Sequence, residues 1–111
     1  MEYIKSQREL ISGANRDLSR VYENMQDNSF KMDEDAIYYR SGKKLLNIIY
    51  EFDESSLYFI HIDRQTTSWD YSLENLSVRR LTLTKSEKRE IFNKLEFYLK
   101  ENNYRFDYIV L

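Results

Sequence analysis

Apolar residues recur at three- and four-residue steps over the first quarter of the chain, which is the spacing of one helical face. The pattern spans residues 2–26 and predicts an amphipathic helix. Its apolar stripe consists of Tyr3, Ile4, Ile11, Ala14, Leu18, Val21, Tyr22 and Met25. Gly13 destabilises such a helix by about 1 kcal/mol relative to alanine, so the helix is either continuous or interrupted near Gly13. Asn28 is expected to end the helix in a left-handed conformation.

The pattern then changes to a two-residue alternation, which is typical of β-strands. Strands are predicted on both sides of Ser41-Gly42, over residues 36–40 and 44–52, because glycine supplies the positive φ of a tight turn. The core face of the second strand is predicted to carry Leu46, Ile48, Tyr50 and Phe52. Further strands are predicted over residues 57–63 and 77–83. Short turns between consecutive strands indicate an antiparallel meander.

The clearest local signal lies near the C-terminus, where Thr84 and Glu87 match a capping box. It predicts a helix that runs to about Asn102, with an apolar stripe of Ile91, Leu95, Tyr98 and Leu99. The alternating residues Tyr104, Phe106, Tyr108 and Val110 predict a closing strand that returns to the sheet. We therefore expect one α+β domain over residues 1–111: an N-terminal helix, an antiparallel β-meander, a C-terminal helix and a closing strand.

Composition narrows the functional classes. The chain has no cysteine, which excludes disulfides and thiolate metal sites, and only two glycines, which makes a phosphate-binding loop improbable. The net charge of −2 disfavours a nucleic-acid-binding function. Residues 1–10 lack the apolar core of a signal peptide, and the apolar runs are too short to span a bilayer, so a cytoplasmic protein without membrane contact is expected.

Candidate chemistry is sparse, and we expect a protein that is not an enzyme and that needs no metal or cofactor. His61 is the sole histidine, and no nucleophile motif accompanies it. A structural role for His61 is favoured over a catalytic one, in which it would work with a carboxylate such as Asp63. The basic clusters Lys43-Lys44, Arg79-Arg80 and Lys85–Arg89 have acidic neighbours, which favours a solvated face over a nucleic-acid groove.

Two segments are candidates for partner binding. The acidic run Asp33-Glu34-Asp35 lacks the spacing of a calcium loop, and is either a solvated loop or a contact for a basic partner. The polar segment 65–75 contains the sole tryptophan, and aromatic residues in loops dominate interface hot spots. The alternative is that this tryptophan folds into the core. The candidate partner-binding residues are Asp33, Glu34, Asp35, Trp69, Asp70, Tyr71 and Glu74.

The strand meander with its Trp69-Asp70 loop, the segment LTLTKSEKREIFNKLEFYL at residues 81–99 and the closing strand together resemble the small immunity proteins of bacterial polymorphic toxin and contact-dependent inhibition systems. The resemblance covers about residues 36–110 and does not extend to the N-terminal helix. It implies a protein that covers the active site of a cognate toxin or an adjacent surface, and it carries over no catalytic residue.

The expected function is therefore the neutralisation of a partner protein, most simply a basic toxin domain such as a nuclease. An acidic protein with aromatic anchors would be steered to such a partner electrostatically. One alternative is a phage-type inhibitor of a host defence protein. Others are a small hydrolase or transferase built around His61 and a nucleic-acid-binding regulator that uses Arg79, Arg80, Lys85 and Lys88.

Overall fold

The fold, in a computed structural model that describes residues 18–34, 36–73 and 81–109, is a six-stranded sheet with helices. Residues 18–24 are helical and are named α1. The remaining elements in chain order are β1 (Ser29–Met32), β2 (Ala36–Ser41), β3 (Lys44–Asp53), β4 (Ser56–Asp63), β5 (Tyr71–Ser72), α2 (Lys85–Glu101) and β6 (Arg105–Ile109). The predicted α+β fold class is confirmed.

The strand order in the sheet is β1-β2-β3-β4-β6, and β5 pairs with β3. The first four strands form an antiparallel meander, in which β2, β3 and β4 correspond to predicted strands. The closing strand β6 also returns to the sheet, but it lies parallel to β4, because α2 carries the chain back to the starting end. The predicted Val110 lies outside the described residues.

Local turn and cap chemistry accounts for the element ends. Gly42 has a φ of 59° in the β2–β3 turn, and Asn28 and Asn103 also adopt positive φ. The Thr84 hydroxyl accepts a hydrogen bond from the Glu87 backbone N–H, and the Glu87 carboxylate accepts one from the Thr84 N–H. The predicted capping box and hairpin turn are confirmed. Asn28 adopts the predicted left-handed conformation, but it lies in the turn before β1, because α1 ends at residue 24.

The main core lies between α2 and one face of the sheet. Ile48 of β3 is 1% exposed, and Leu95 of α2 is fully buried against the same cluster. The apolar residues at every second position of the strands pack against the apolar residues at three- and four-residue steps of α2. Both periodic patterns in the sequence therefore contribute to this core. The buried members are Ile37, Tyr39, Leu46, Ile48, Tyr50, Ile60, Ile62, Trp69, Leu83, Ile91, Phe92, Leu95 and Leu99.

A smaller cluster occupies the opposite face of the sheet, where α1 packs. Leu45 of β3 is fully buried there against Leu18, Tyr22 and Met25. Arg40 of β2 holds the end of α1, because one of its guanidinium nitrogens donates to the backbone oxygens of Tyr22 and Met25, at 3.0 and 2.5 Å. This contact satisfies carbonyl groups that a helix C-terminus leaves without an intrahelical partner.

The structure differs from the sequence prediction at several elements. β1 and β5 were not predicted, and Phe52, predicted to be a core residue, is 42% exposed. Of the predicted strand at 77–83, Thr82 forms an isolated bridge with Ser68, and residues 77–80 lie outside the described residues. The same holds for residues 2–17 of the predicted first helix.

Candidate functional site

Trp69 is a core residue and not an exposed anchor. It is 2% exposed and belongs to the main core cluster, so the prediction of Trp69 as an accessible partner-binding residue is wrong, and the alternative of a tryptophan folded into the core is confirmed. The Lys44 ammonium lies 4.5 Å from the centre of its ring and also pairs with Glu87 at 3.4 Å. Segment 65–75 thus contributes its largest side chain to the interior.

The neighbours of Trp69 are also engaged in the fold. The Asp70 carboxylate accepts a hydrogen bond of 2.7 Å from the Asn47 backbone N–H, and the Asp70 N–H donates to the Leu45 oxygen. Tyr71 lies in β5 and contacts the Tyr22 ring, with 5.5 Å between the centroids. Both residues fasten the segment to β3 and α1, and both are only partly exposed.

The acidic run before β2 lies elsewhere on the sheet. The Asp33 backbone oxygen accepts a hydrogen bond from the Tyr50 hydroxyl, whereas Asp70 contacts Leu45 and Asn47, so the two residues border different parts of β3. Glu34 is exposed. Asp35 and Glu74 lie outside the described residues, as do Arg79 and Arg80 of the predicted basic cluster.

A more prominent surface lies at the end of the β3–β4 hairpin. Phe52 is 42% and Tyr58 is 60% exposed, and the exposed carboxylates Glu51 and Glu54 adjoin them in the chain. We name this region the hairpin surface and define it by Phe52, Glu54, Tyr58 and Tyr104, and Glu51 lies beside it on the other face of the sheet. Large exposed rings bordered by charges are typical of binding surfaces.

Inner aromatic neighbours hold the two exposed rings. Phe52 meets Tyr50 edge to face, with 5.3 Å between the centroids and an interplanar angle of 79°. Tyr58 contacts Tyr104, which follows α2, at 6.3 Å. Rings that are fixed on one side lose little conformational freedom when a partner covers the other side.

His61 braces the hairpin surface from the adjoining strands. Its Nε2 lies 3.0 Å from Asp53 Oδ1, at the end of β3, and its Nδ1 lies 2.6 Å from Asp107 Oδ1, on β6. The other Asp53 oxygen accepts hydrogen bonds from the backbone N–H and the hydroxyl of Ser55, inside the turn. The histidine therefore connects the hairpin turn to the C-terminal strand.

These contacts shift the proton affinities. Hydrogen bonds from Ser55 and then from His61 lower the pKa of Asp53 from 3.8 to about 2. Hydrogen bonds to Asp53 and Asp107 raise the pKa of His61 above its usual 6.5. Each shift favours the ionised form of its group.

The His61 cluster does not have the geometry of a metal site. The two carboxylates bind opposite nitrogens of one ring, so the three side chains do not converge on a common point. Within residues 18–34, 36–73 and 81–109, no group of three or more histidine, cysteine or acidic side chains is arranged to hold a metal ion.

A polar cleft of about 310 Å³ separates the β2–β3 turn from the first half of α2. Its groups are largely engaged with one another: Asp27 accepts from the Gly42 N–H at 2.6 Å, and Asn28 accepts from the Tyr39 hydroxyl and from Lys94. The cleft is lined by Asp27, Asn28, Tyr39, Ser41, Gly42, Trp69, Glu87, Glu90, Ile91 and Lys94. These internal hydrogen bonds and ion pairs join three parts of the fold.

Comparison with known proteins returned no relative. No protein-family model, no curated protein and no solved structure matches this chain. Among the described residues, no helix is both long and apolar enough to cross a membrane.

The hairpin surface was missed because alternation assigned Phe52 to the core. The chain order Phe52-Asp53-Glu54, followed by Tyr58, does carry a signal, since it places two aromatic residues around an acidic turn. That is the same combination that drew attention to Trp69 and Asp70. Only the structure distinguishes the two segments, because burial of the rings depends on whether α2 covers them.

Proposed function

We propose that the protein is a binding protein that neutralises a partner protein, in the manner of an immunity protein that inhibits a cognate bacterial toxin, and that the hairpin surface contacts the partner. The observation that carries the proposal is the exposure of Phe52 and Tyr58, with the exposed carboxylate Glu54 between them in the chain. A toxin domain with a basic surface, such as a nuclease, fits this chemistry.

The aromatic residues would supply affinity. A ring that is about half exposed in the free protein can lose that exposed apolar area to a partner, and truncation of such an anchor costs about 2 kcal/mol or more. Tyr58 also has a hydroxyl that can hydrogen-bond at an interface that is partly wet. Contacts with Tyr50 and Tyr104 already orient the two anchors.

The carboxylates would supply the rate of encounter. Glu51 and Glu54 are exposed, so salt screens them, and their main effect is to attract a basic surface over a distance of about 10 Å at 0.1 M salt. Neutralising an exposed charge of this kind is expected to slow association and to leave dissociation nearly unchanged.

The experiment begins with a photo-cross-linking phenylalanine analogue placed at position 52 and, as a matched control, at position 97. Phe97 is an exposed aromatic residue on α2, at 65% exposure. In the native host, a partner that binds the hairpin surface cross-links at position 52 and not at position 97. Equal cross-linking at both positions would remove this surface from the proposal.

The second step uses the identified partner in purified form. Phe52→Ala and Tyr58→Ala should raise the dissociation rate, Glu54→Gln should slow association with a weaker salt dependence, and Phe97→Ala should change neither. The partner should be toxic when expressed alone and harmless with the wild-type chain. A harmless partner would refute the assignment of the partner as a toxin. If the partner is a host defence enzyme, the protein would instead be a phage-type inhibitor of that enzyme.

A further inference from the structure

His61 occupies a position at which both ring nitrogens face carboxylates. Nδ1 lies 2.6 Å from Asp107 and Nε2 lies 3.0 Å from Asp53. A neutral imidazole has one N–H, so it can donate to only one of two carboxylates, whereas the imidazolium ion has two and can donate to both. With both carboxylates ionised, only the doubly protonated ring can donate a hydrogen bond at both contacts.

The contacts join parts of the chain that are distant in sequence. Asp53 ends β3 at the hairpin turn, His61 lies in β4, and Asp107 lies in β6, 46 residues after His61. Asp107 is directly opposite His61 in the parallel β4–β6 pairing, and Glu51 is opposite His61 in the antiparallel β3–β4 pairing. One ring thus links the three neighbouring strands at this end of the sheet.

The charges around the ring favour a cation. On the sides of β3 and β6 the neighbouring acidic groups are Glu51, Asp53 and Asp107. Asp63 follows His61 at the next same-face position of β4. Among the described residues of β6, the basic group is Arg105, whose guanidinium lies 5.8 Å from the centre of the Phe59 ring. Among the residues that the structure describes on these strands, four carboxylates against one guanidinium favour the protonated imidazole.

We infer that His61 is a pH-sensitive clamp, which fixes the β3–β4 hairpin turn and the β6 strand in one arrangement while its ring carries two protons and releases one of these two attachments when a proton leaves.

The pH range of the clamp follows from the two partners. The pKa of His61 is raised from 6.5, so its contribution is complete below pH 6.5 and is lost as the pH rises through the pKa of the folded state. The pKa of Asp53 is lowered from 3.8 to about 2, so its contribution is present above pH 3.8 and is lost as the pH falls through about 2. The Asp53–His61 attachment is therefore complete between pH 3.8 and 6.5.

The clamp has a consequence that rests on the proposed function. Asp53 lies between Phe52 and Glu54 of the hairpin surface, so release of the Asp53–His61 contact would loosen the surface that is proposed to bind the partner. A clamped surface is preorganised and loses less freedom on binding. Partner affinity should then weaken as the pH rises through the pKa of His61.

The test uses the isolated chain, so that its outcome does not depend on the partner. His61 is the only histidine, and its ring protons give one set of titrating signals in an NMR experiment. We expect a pKa above 6.5 in the wild type and a lower value in both Asp53→Asn and Asp107→Asn. Asp63→Asn, which removes a nearby charge and keeps both hydrogen bonds, serves as the matched control and should lower the pKa less.

Amide hydrogen exchange measures the release itself. After correction for the intrinsic pH dependence of exchange, protection of either Arg105–Ile109 or the hairpin turn should fall as the pH passes through the pKa of His61, and His61→Gln should abolish this step. A pKa at or below 6.5, equal pKa values in all three Asp→Asn variants, or constant protection would overturn the clamp. Any of these results would leave partner binding by Phe52 and Tyr58 to be judged by its own kinetics.

Discussion

At the scale of single residues, burial depends on what lies above a side chain and not only on its position in the alternation. Tyr50 and Phe52 are two positions apart on β3, yet Tyr50 is 4% and Phe52 is 42% exposed. Phe52 lies next to the turn, where the pairing with β4 shifts register. The alternation of apolar and polar residues predicts which face of the sheet a residue occupies. It does not predict how far along β3 that face is covered.

Asp70 illustrates how a residue that looks like a surface charge can serve the fold. Its carboxylate accepts a hydrogen bond from the Asn47 backbone N–H on β3, at 2.7 Å. Asp70→Asn replaces a charge-assisted bond by a neutral one, and we expect a loss of about 1 kcal/mol in the free energy of unfolding. Urea denaturation at neutral pH measures this loss. Glu101→Gln, at the exposed end of α2, is the control and should change stability much less.

At the scale of elements, the sequence predicts what local chemistry determines. The capping box and the glycine turn involve residues within a few positions of one another, and both are confirmed. β1 and β5 have only 4 and 2 residues, which is too short to show a clear alternation. Each forms a strand because it pairs with a longer one, β1 with β2 and β5 with β3. The parallel placement of β6 likewise depends on the path of α2.

The cap of α2 provides a test at this scale. Thr84→Ala removes the hydroxyl that accepts the Glu87 N–H at 3.1 Å, and such a loss costs about 1 kcal/mol of stability. Ser86→Ala, in the same exposed first turn, is the matched control and should have a smaller effect. Urea denaturation followed by circular dichroism compares them. Equal losses in the two variants would argue against a stabilising role for the cap.

At the scale of the whole molecule, one sheet separates two apolar clusters of different size. β3 contributes to both, since Leu46 and Ile48 face α2 and Leu45 faces α1. The sequence predicted the α2 side well, because both halves of that core carry clear periodicity. The prediction of an accessible Trp69 was wrong, since it relied on residue types in a loop, and the loop holds its tryptophan inside.

Neighbouring isoleucines on β3 test this division. Ile48 is 1% exposed and Ile49 is 52% exposed. Ile48→Ala should cost about 2–5 kcal/mol, because it leaves a cavity that the surrounding core fills only in part. Ile49→Ala removes the same atoms from an exposed site and should cost far less. A loss below about 1 kcal/mol for Ile48→Ala would contradict the register of β3 described above.

The burial of Trp69 also has an optical consequence. It is the only tryptophan in the chain, and its ring lies in the core beneath the Lys44 ammonium. Indole emission shifts to longer wavelength when the ring passes from an apolar interior to water, so one fluorophore reports whether segment 65–75 is docked. Because the hairpin surface contains no tryptophan, a binding experiment excited at indole wavelengths would observe the partner's own tryptophans against a constant background from this chain.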